Sequence, residues 1–411
     1  MTDADSNTRP QAPSPRPPED REPLSEWIVV IRTDAAVRLL RDQKLGFEGY
    51  PSAVGPCTII LRTLYQRYQT SEESTPLPRD LWSEVRCRAV TLDDAATAAM
   101  NAVSGLLPVL AVSCNAPVDG NASVHIAYDA TSGKSRREFF QRLIPVSAEL
   151  PRPGRALNRE ATVDLFRSIE TSPDRERLFR ACNHYALALA SWRPSLESVA
   201  LAHLFMGIEA LAQVALRSEL CKQMCKDEEL ADIWGIARAG AKWRSLLLAE
   251  CRKRVLFQGD IDCYKKAKSA SDGLEHGFMD LGEIHGYASS VRQSTARYLR
   301  SAIIELSDVN DAAKEVLQSA KYLSPLESWQ FTKNLRGWLI ADHDQLAAPD
   351  QLYPRIAWES SYRYVRLNEH GEVDVGFDEN LRVIAGPGVG FEPSSLFLHA
   401  PTKTGIEPGT P

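Results

Sequence analysis

The chain has 411 residues, 44% of them hydrophobic and 25% charged, with a formal net charge of −6. This is the composition of an ordinary soluble globular protein, long enough for two or three cores, with no global electrostatic drive towards nucleic acid. The first 24 residues contain no apolar stretch of a secretory signal, and no uninterrupted apolar run looks long enough to span a membrane, so a cytoplasmic protein without membrane segments is expected. The eight cysteines are scattered among apolar neighbours and read as reduced thiols. Cys221 and Cys225 would share a helix face, but no second ligand pair follows. Neither a metal nor a cofactor is expected.

Residues 1–25 are rich in proline and charge and predict a disordered tail, as do residues 400–411. Residues 26–130 predict a small α/β domain. Trp27–Arg32 reads as a strand, Asp34–Arg41 as a short helix, and Cys57–Leu61 and Glu84–Val90 as strands. Thr91 with Asp94 approximates a capping box ahead of a helix to about Val103. Pro108–Cys114 and Ser123–Tyr128 read as further strands. Residues 131–172 predict a linker, with a short helix over Arg136–Leu143 and prolines at 145, 151 and 153.

From residue 173 to 320 the periodicity becomes helical. A first helix runs to Ala190 with Ser172 as cap, and a second from Pro194 to about Met224 is apolar nearly all round. Only Glu209, Gln213 and Arg217 draw a polar line along it, and an ion pair to a basic helix is expected for Glu209. A lone His203 on that helix reads as a hydrogen-bonded core residue. A third helix covers Ala241–Phe257, and a fourth ends near Asp272 with Gly273 as its left-handed cap. A fifth, amphipathic helix starts at Asp280. Residues 351–399 predict a β-meander with turns at Asn368–Gly371, Asp378–Asn380 and Gly386-Pro387-Gly388. The fold class is therefore α+β and multidomain: an α/β domain, an all-α bundle and a small β-meander.

The densest chemistry lies in Ser271-Asp272-Gly273-Leu274-Glu275-His276-Gly277. Two carboxylates beside an imidazole can set its pKa and pass protons, so Asp272, Glu275 and His276 are the candidate catalytic residues. The other reading is that His276 satisfies backbone groups in a turn. Arg252, Arg254, Lys265, Lys268 and Arg300 form a local basic excess and are the candidate ligand-binding residues. The same charges could form the solvated face of a bundle.

The segment from about Arg175 to Leu306, with its long apolar MGIEALAQVAL helix and the Ser271–Gly277 motif, resembles a HEPN-type domain of the bacterial anti-phage or stress variety. The resemblance implies an all-α dimerising bundle and often a metal-independent RNase. His276 matches the motif histidine and Asp272 its polar second position, whereas Ser271 stands where the family has arginine. Lys268 lies one helical turn earlier. Without the arginine, stabilisation of phosphorane charge loses its main donor. The leading expectation is an RNA- or nucleotide-binding homodimer, a defence or stress effector with a degenerate endoribonuclease motif. The alternative is a non-enzymatic dimeric sensor or scaffold for a protein or small ligand. A third reading is a metal-independent acid/base enzyme acting on a small molecule through Asp272, Glu275 and His276.

Overall fold

The computed structural model describes residues 24–69, 74–118, 122–131, 138–141, 154–193, 196–238, 240, 242–326, 332–340, 347–350, 355–367 and 373–399. The two expected tails lie outside these, apart from residues 24 and 25, where the first strand begins. The fold is mixed, with an antiparallel sheet leading into a set of helices.

The sheet holds six strands in the order β3-β4-β5-β1-β6-β7. They are β1 (Ser25–Thr33), β3 (Leu45–Tyr50), β4 (Cys57–Gln69), β5 (Ser74–Ala89), β6 (Ser123–Asp129) and β7 (Phe139–Gln141). Each neighbouring pair is antiparallel. Two short strands, β2 (Val37–Arg38) and β8 (Arg155–Ala156), pair in parallel outside this sheet. The helix expected over Asp34–Arg41 is absent because its backbone has other partners. The Thr63 hydroxyl accepts from the Leu39 amide at 2.7 Å, and Tyr65 donates to the Leu39 carbonyl at 2.9 Å. Likewise Phe139–Gln141 adds the edge strand β7 where a helix over Arg136–Leu143 was expected.

Helix α1 (Leu92–Cys114) starts as expected, with the Thr91 side chain accepting from the Asp94 amide at 3.1 Å. It then runs on through Pro108 to Cys114, so the strand expected over Pro108–Cys114 is the second half of this helix. Residues 106–114 are buried on every side, and an apolar run buried on all sides carries no period that separates helix from strand. One face of α1 meets the sheet, and the other meets α2 (Arg159–Thr171) and α3 (Arg175–Ala190). Helix α2 occupies part of the expected linker. Asn158 caps it, accepting from Ala161 at 2.9 Å, and Ala161, Leu165, Phe166 and Ile169 form its buried stripe.

The remaining helices are α4 (Glu197–Gln223), α5 (Asp227–Ile233), α6 (Trp243–Cys251), α7 (Ile261–His276), α8 (Leu281–Leu306) and α9 (Asp311–Leu317). Helix α6 continues into a π-helical turn over Arg252–Leu256. Helix α4 is central, packed against α3, α7 and α8. By length and composition α1 and α4 could each cross a membrane, contrary to the reading of the sequence, yet most of each lies inside the fold. One continuous apolar core links the sheet to the bundle, from Val29 and Ile59 through Leu106 and Leu110 to Tyr185, Leu204 and Ile303.

The C-terminal strands are β9 (Thr332–Ile340), β10 (Arg355–Leu367), β11 (Val373–Ile384) and β12 (Gly390–His399). They make two separate two-stranded sheets, β10-β11 and β12-β9, in place of the expected meander. The turn expected at Asp378–Asn380 is strand: Asp378, Glu379 and Asn380 pair with Ser361, Ser360 and Glu359. A two-stranded ribbon leaves Asp378 and Asn380 exposed, so their polarity costs it nothing. Gly386-Pro387-Gly388 is a turn, closed by Val389 donating to the Gly386 carbonyl at 3.3 Å, but it joins strands of different sheets.

Candidate functional site

Asp260 caps α7, accepting from the Cys263 amide at 3.0 Å. The helix passes through Gly273 and ends one turn later, with Gly277 in the left-handed region at φ 66°. Gly273 is therefore not the cap. It is a close-approach residue, because a Cβ there would lie 2.9 Å from the Met279 Cβ and 3.3 Å from Ile284 Cγ1. Asp272, Glu275 and His276 stand on helix, not in a turn.

The carboxylates do not hold the imidazole. Asp272 is ion-paired to Lys268 one turn earlier, and the Ser271 hydroxyl donates to Glu275 Oε1 at 3.2 Å. His276 is exposed and makes no hydrogen bond or ion pair among the described residues. Lys268, Asp272 and His276 follow one another at i, i+4 and i+8 on one helix face. Beside them Leu274, Phe278 and Leu281 are 36%, 65% and 72% exposed, interspersed with the exposed Glu275, Asp280 and Glu283.

Most of the basic excess is used within the chain. Arg252 meets Glu209 at 3.0 Å, the ion pair expected for that glutamate, and Arg254 and Lys253 meet Glu250 at 2.8 and 3.0 Å. Lys265 alone of the five candidates is exposed without such a partner among the described residues. Arg300 is no surface ligand at all. It is buried on α8 and donates to the carbonyls of Val112 at 2.8 Å, Ser113 at 3.2 Å and Leu317 at 2.7 Å. Burial lowers its pKa, and among the described residues no carboxylate offsets the cost. Arg155 does the same for Cys114, Asn115 and Ser324 at 3.0, 2.8 and 2.9 Å. Two guanidiniums thus close the C-terminal end of α1, where helix carbonyls carry partial negative charge. The signal was present in the sequence: Arg300 sits between Ala296 and Ile303 on the apolar stripe of its helix.

His203 faces His184 of α3, ring centroids 5.8 Å apart. Both Nδ1 atoms are buried without a hydrogen-bond partner, so His203 is not the satisfied core residue expected. Burial lowers both pKa values, and His203 and Arg180 lower that of His184 further. Among the described residues no group of three or more His, Cys, Asp or Glu side chains is arranged to hold a metal ion.

A different concavity shares none of these residues. A cleft of about 880 Å³ runs between β3 and α2, lined by Gly46, Glu48, Ile60, Arg159, Val163 and Arg167 among others. The sequence does not announce it, because α2 lies within the segment whose prolines predict a linker. No family model, curated protein or solved structure matches the chain.

Proposed function

We propose that the chain is a homodimeric, HEPN-like binding scaffold of the cytoplasm in which the tip of the α7–α8 hairpin meets its own copy. The observation that carries this is the apolar tip, with Phe278 and Leu281 65% and 72% exposed beside Leu274. A twofold contact would cover these side chains on both copies, and burying one such side chain fully is worth about 1.5–3 kcal/mol. Catalysis has less support than binding. Ser271 replaces the arginine of the motif, Asp272 and Glu275 are held by Lys268 and Ser271, and Arg300 is buried in the fold.

A second reading rests on His276 itself, an exposed imidazole without a partner among the described residues, on the row that carries Lys268 and Asp272. Two copies meeting at this tip would bring two such rows together. That arrangement suits an RNA or nucleotide ligand and a metal-independent endoribonuclease in an anti-phage or stress setting. A small-molecule acid/base centre within one chain is the weakest of the three, because its carboxylates are already engaged.

Light scattering on the full chain tests the dimer. A dimer is expected for the wild type, and a monomer for the double variant Phe278→Asp with Leu281→Asp. A monomeric wild type, or a dimer indifferent to the two charges, would refute the proposal. Incubation of the pure dimer with RNA should give no cleavage. Cleavage that disappears in His276→Ala would establish the second reading instead.

A further inference from the structure

We infer that the cleft between β3 and α2 is a binding groove for an extended acidic peptide, which adds to the sheet as a further strand. Strand β3 is at one end of the sheet order, and among the described residues no strand pairs with its outer edge. A free edge presents unpaired backbone donors and acceptors to any extended chain that reaches it. Short length, a charge and a bulge limit indiscriminate pairing here. The strand is six residues long, carries the exposed Glu48, and slips register between Phe47 and Tyr50.

The groove has room for a visiting strand. Gly46 and Gly49 lie on its floor, and a Cβ on either would meet nothing within 4 Å. Phe47 and Tyr50, which also line the cleft, pack on Phe166 of α2, with ring centroids 4.9 and 5.6 Å apart, and give it an apolar aromatic side. The opposite wall is α2. Arg159, Val163 and Arg167 stand there at i, i+4 and i+8, with both arginines exposed. Neither guanidinium has an ion-pair partner among the described residues, in contrast to Glu170 on the same wall, which Arg175 holds at 3.0 Å. A second cleft of about 430 Å³ shares these three residues and is lined by Glu160 and Asp164 as well, so these two carboxylates of α2 lie in that cleft and not in the one beside β3.

Spacing selects the ligand. Eight residues of helix separate the two arginines by about 12 Å. Residues i and i+4 of an extended chain share a face and lie about 13 Å apart. A strand seated on β3 with carboxylates four residues apart would therefore meet both guanidiniums, with an apolar residue between them facing Val163. On the strand side Asp42 and Glu48 repel carboxylates and Lys44 attracts them, which favours turning the acidic face of the peptide towards α2.

The test uses the full chain and a displayed library of random dodecapeptides, counter-selected on two variants. Arg159→Glu with Arg167→Glu reverses the wall, and Gly46→Phe fills the floor. All three positions are exposed, so circular dichroism and melting should match the wild type. Enrichment of sequences with Asp or Glu four residues apart is expected. Synthetic copies should lose at least tenfold in affinity on either variant and should slow amide exchange at residues 45–50. No enrichment, or affinity that neither variant changes, would overturn the inference. So would a single-stranded RNA that binds through the two arginines more tightly than any peptide and leaves the β3 amides unprotected. Amides already protected in the free chain, and exposed on deleting residues 1–23 or 400–411, would show that the groove serves the chain's own terminus and would equally overturn it.

Discussion

Arg300 and His276 exchange the roles that their residue types suggest. A buried guanidinium that satisfies three carbonyls supports the fold, whereas an exposed imidazole without a partner supports none of it. Leaving buried acceptors unsatisfied typically costs about 1–3 kcal/mol, so Arg300→Ala, which strips the donor from three carbonyls, should lower unfolding free energy by at least that order in a urea titration. Arg300→Lys should recover only part of it, because an ammonium cannot fork to both ends of the contact. His276→Ala should stay within about 0.5 kcal/mol of the wild type, the usual range for a surface position. A loss of 1 kcal/mol or more would restore a structural role for His276. The pair His184 and His203 sets a pH dependence whose sign is fixed. Both folded-state pKa values lie below the ordinary 6.5. The unfolded chain therefore takes up protons first as the pH falls. Stability is full above about pH 6.5, drops through the window beneath it, and levels off below the folded-state values. Melting at pH 7.5 and 5.5 should reveal this fall, and replacing both histidines by phenylalanine should reduce it.

At the scale of elements, three N-caps and the stripe of α8 were legible, whereas the cap expected at Ser172 falls to Asp174, Ser172 closing α2 instead, and the all-round burial was not legible. Thr91, Asp260 and Asp280 cap their helices with side-chain bonds that the residue types foretell, and Ile284, Ala288, Val291 and Leu299 form the buried stripe of α8 as its period predicts. The misreadings share a cause. Residues 106–114 are wrapped by the sheet on one side and helices on the other, so they show no periodicity at all. Gly273 and Gly277 both look like helix caps, and only the approach of Met279 from the connecting turn and of Ile284 from α8 distinguishes them. That approach carries a prediction. Gly273→Ala should destabilise by about 1–3 kcal/mol through overpacking, since the first atom met is a Cβ and cannot swing aside. Gly277→Ala meets nothing within 4 Å and should cost only the left-handed strain, about 1–2 kcal/mol. Gly273→Leu separates them further: it should abolish the α7–α8 contact, whereas Gly277→Asn should be nearly neutral.

At the scale of the molecule, the change from strand to helix periodicity near residue 173 suggests a boundary that the packing does not respect. Helix α1 belongs to both sides. It covers one face of the sheet, packs on α3, and ends where Arg300 of α8 and Arg155 meet its last carbonyls. Asn115, just beyond that end and itself left-handed at φ 47°, accepts from Tyr185 of α3 at 2.6 Å and donates to the Tyr322 carbonyl at 2.8 Å. A fragment spanning 173–320 would keep Arg300 and Tyr185 but lose every α1 group they bind. It would expose the face of α3 that α1 covers and strand a guanidinium whose carbonyl partners at 112 and 113 are gone. Such a fragment should be expanded, bind a hydrophobic dye and unfold without a cooperative transition. A fragment from residue 24 to 326 retains α1, α2 and the junction and should melt in one cooperative step. A sharp transition in the shorter fragment would show that the bundle folds by itself and that the α1 junction is an interface between two independent domains.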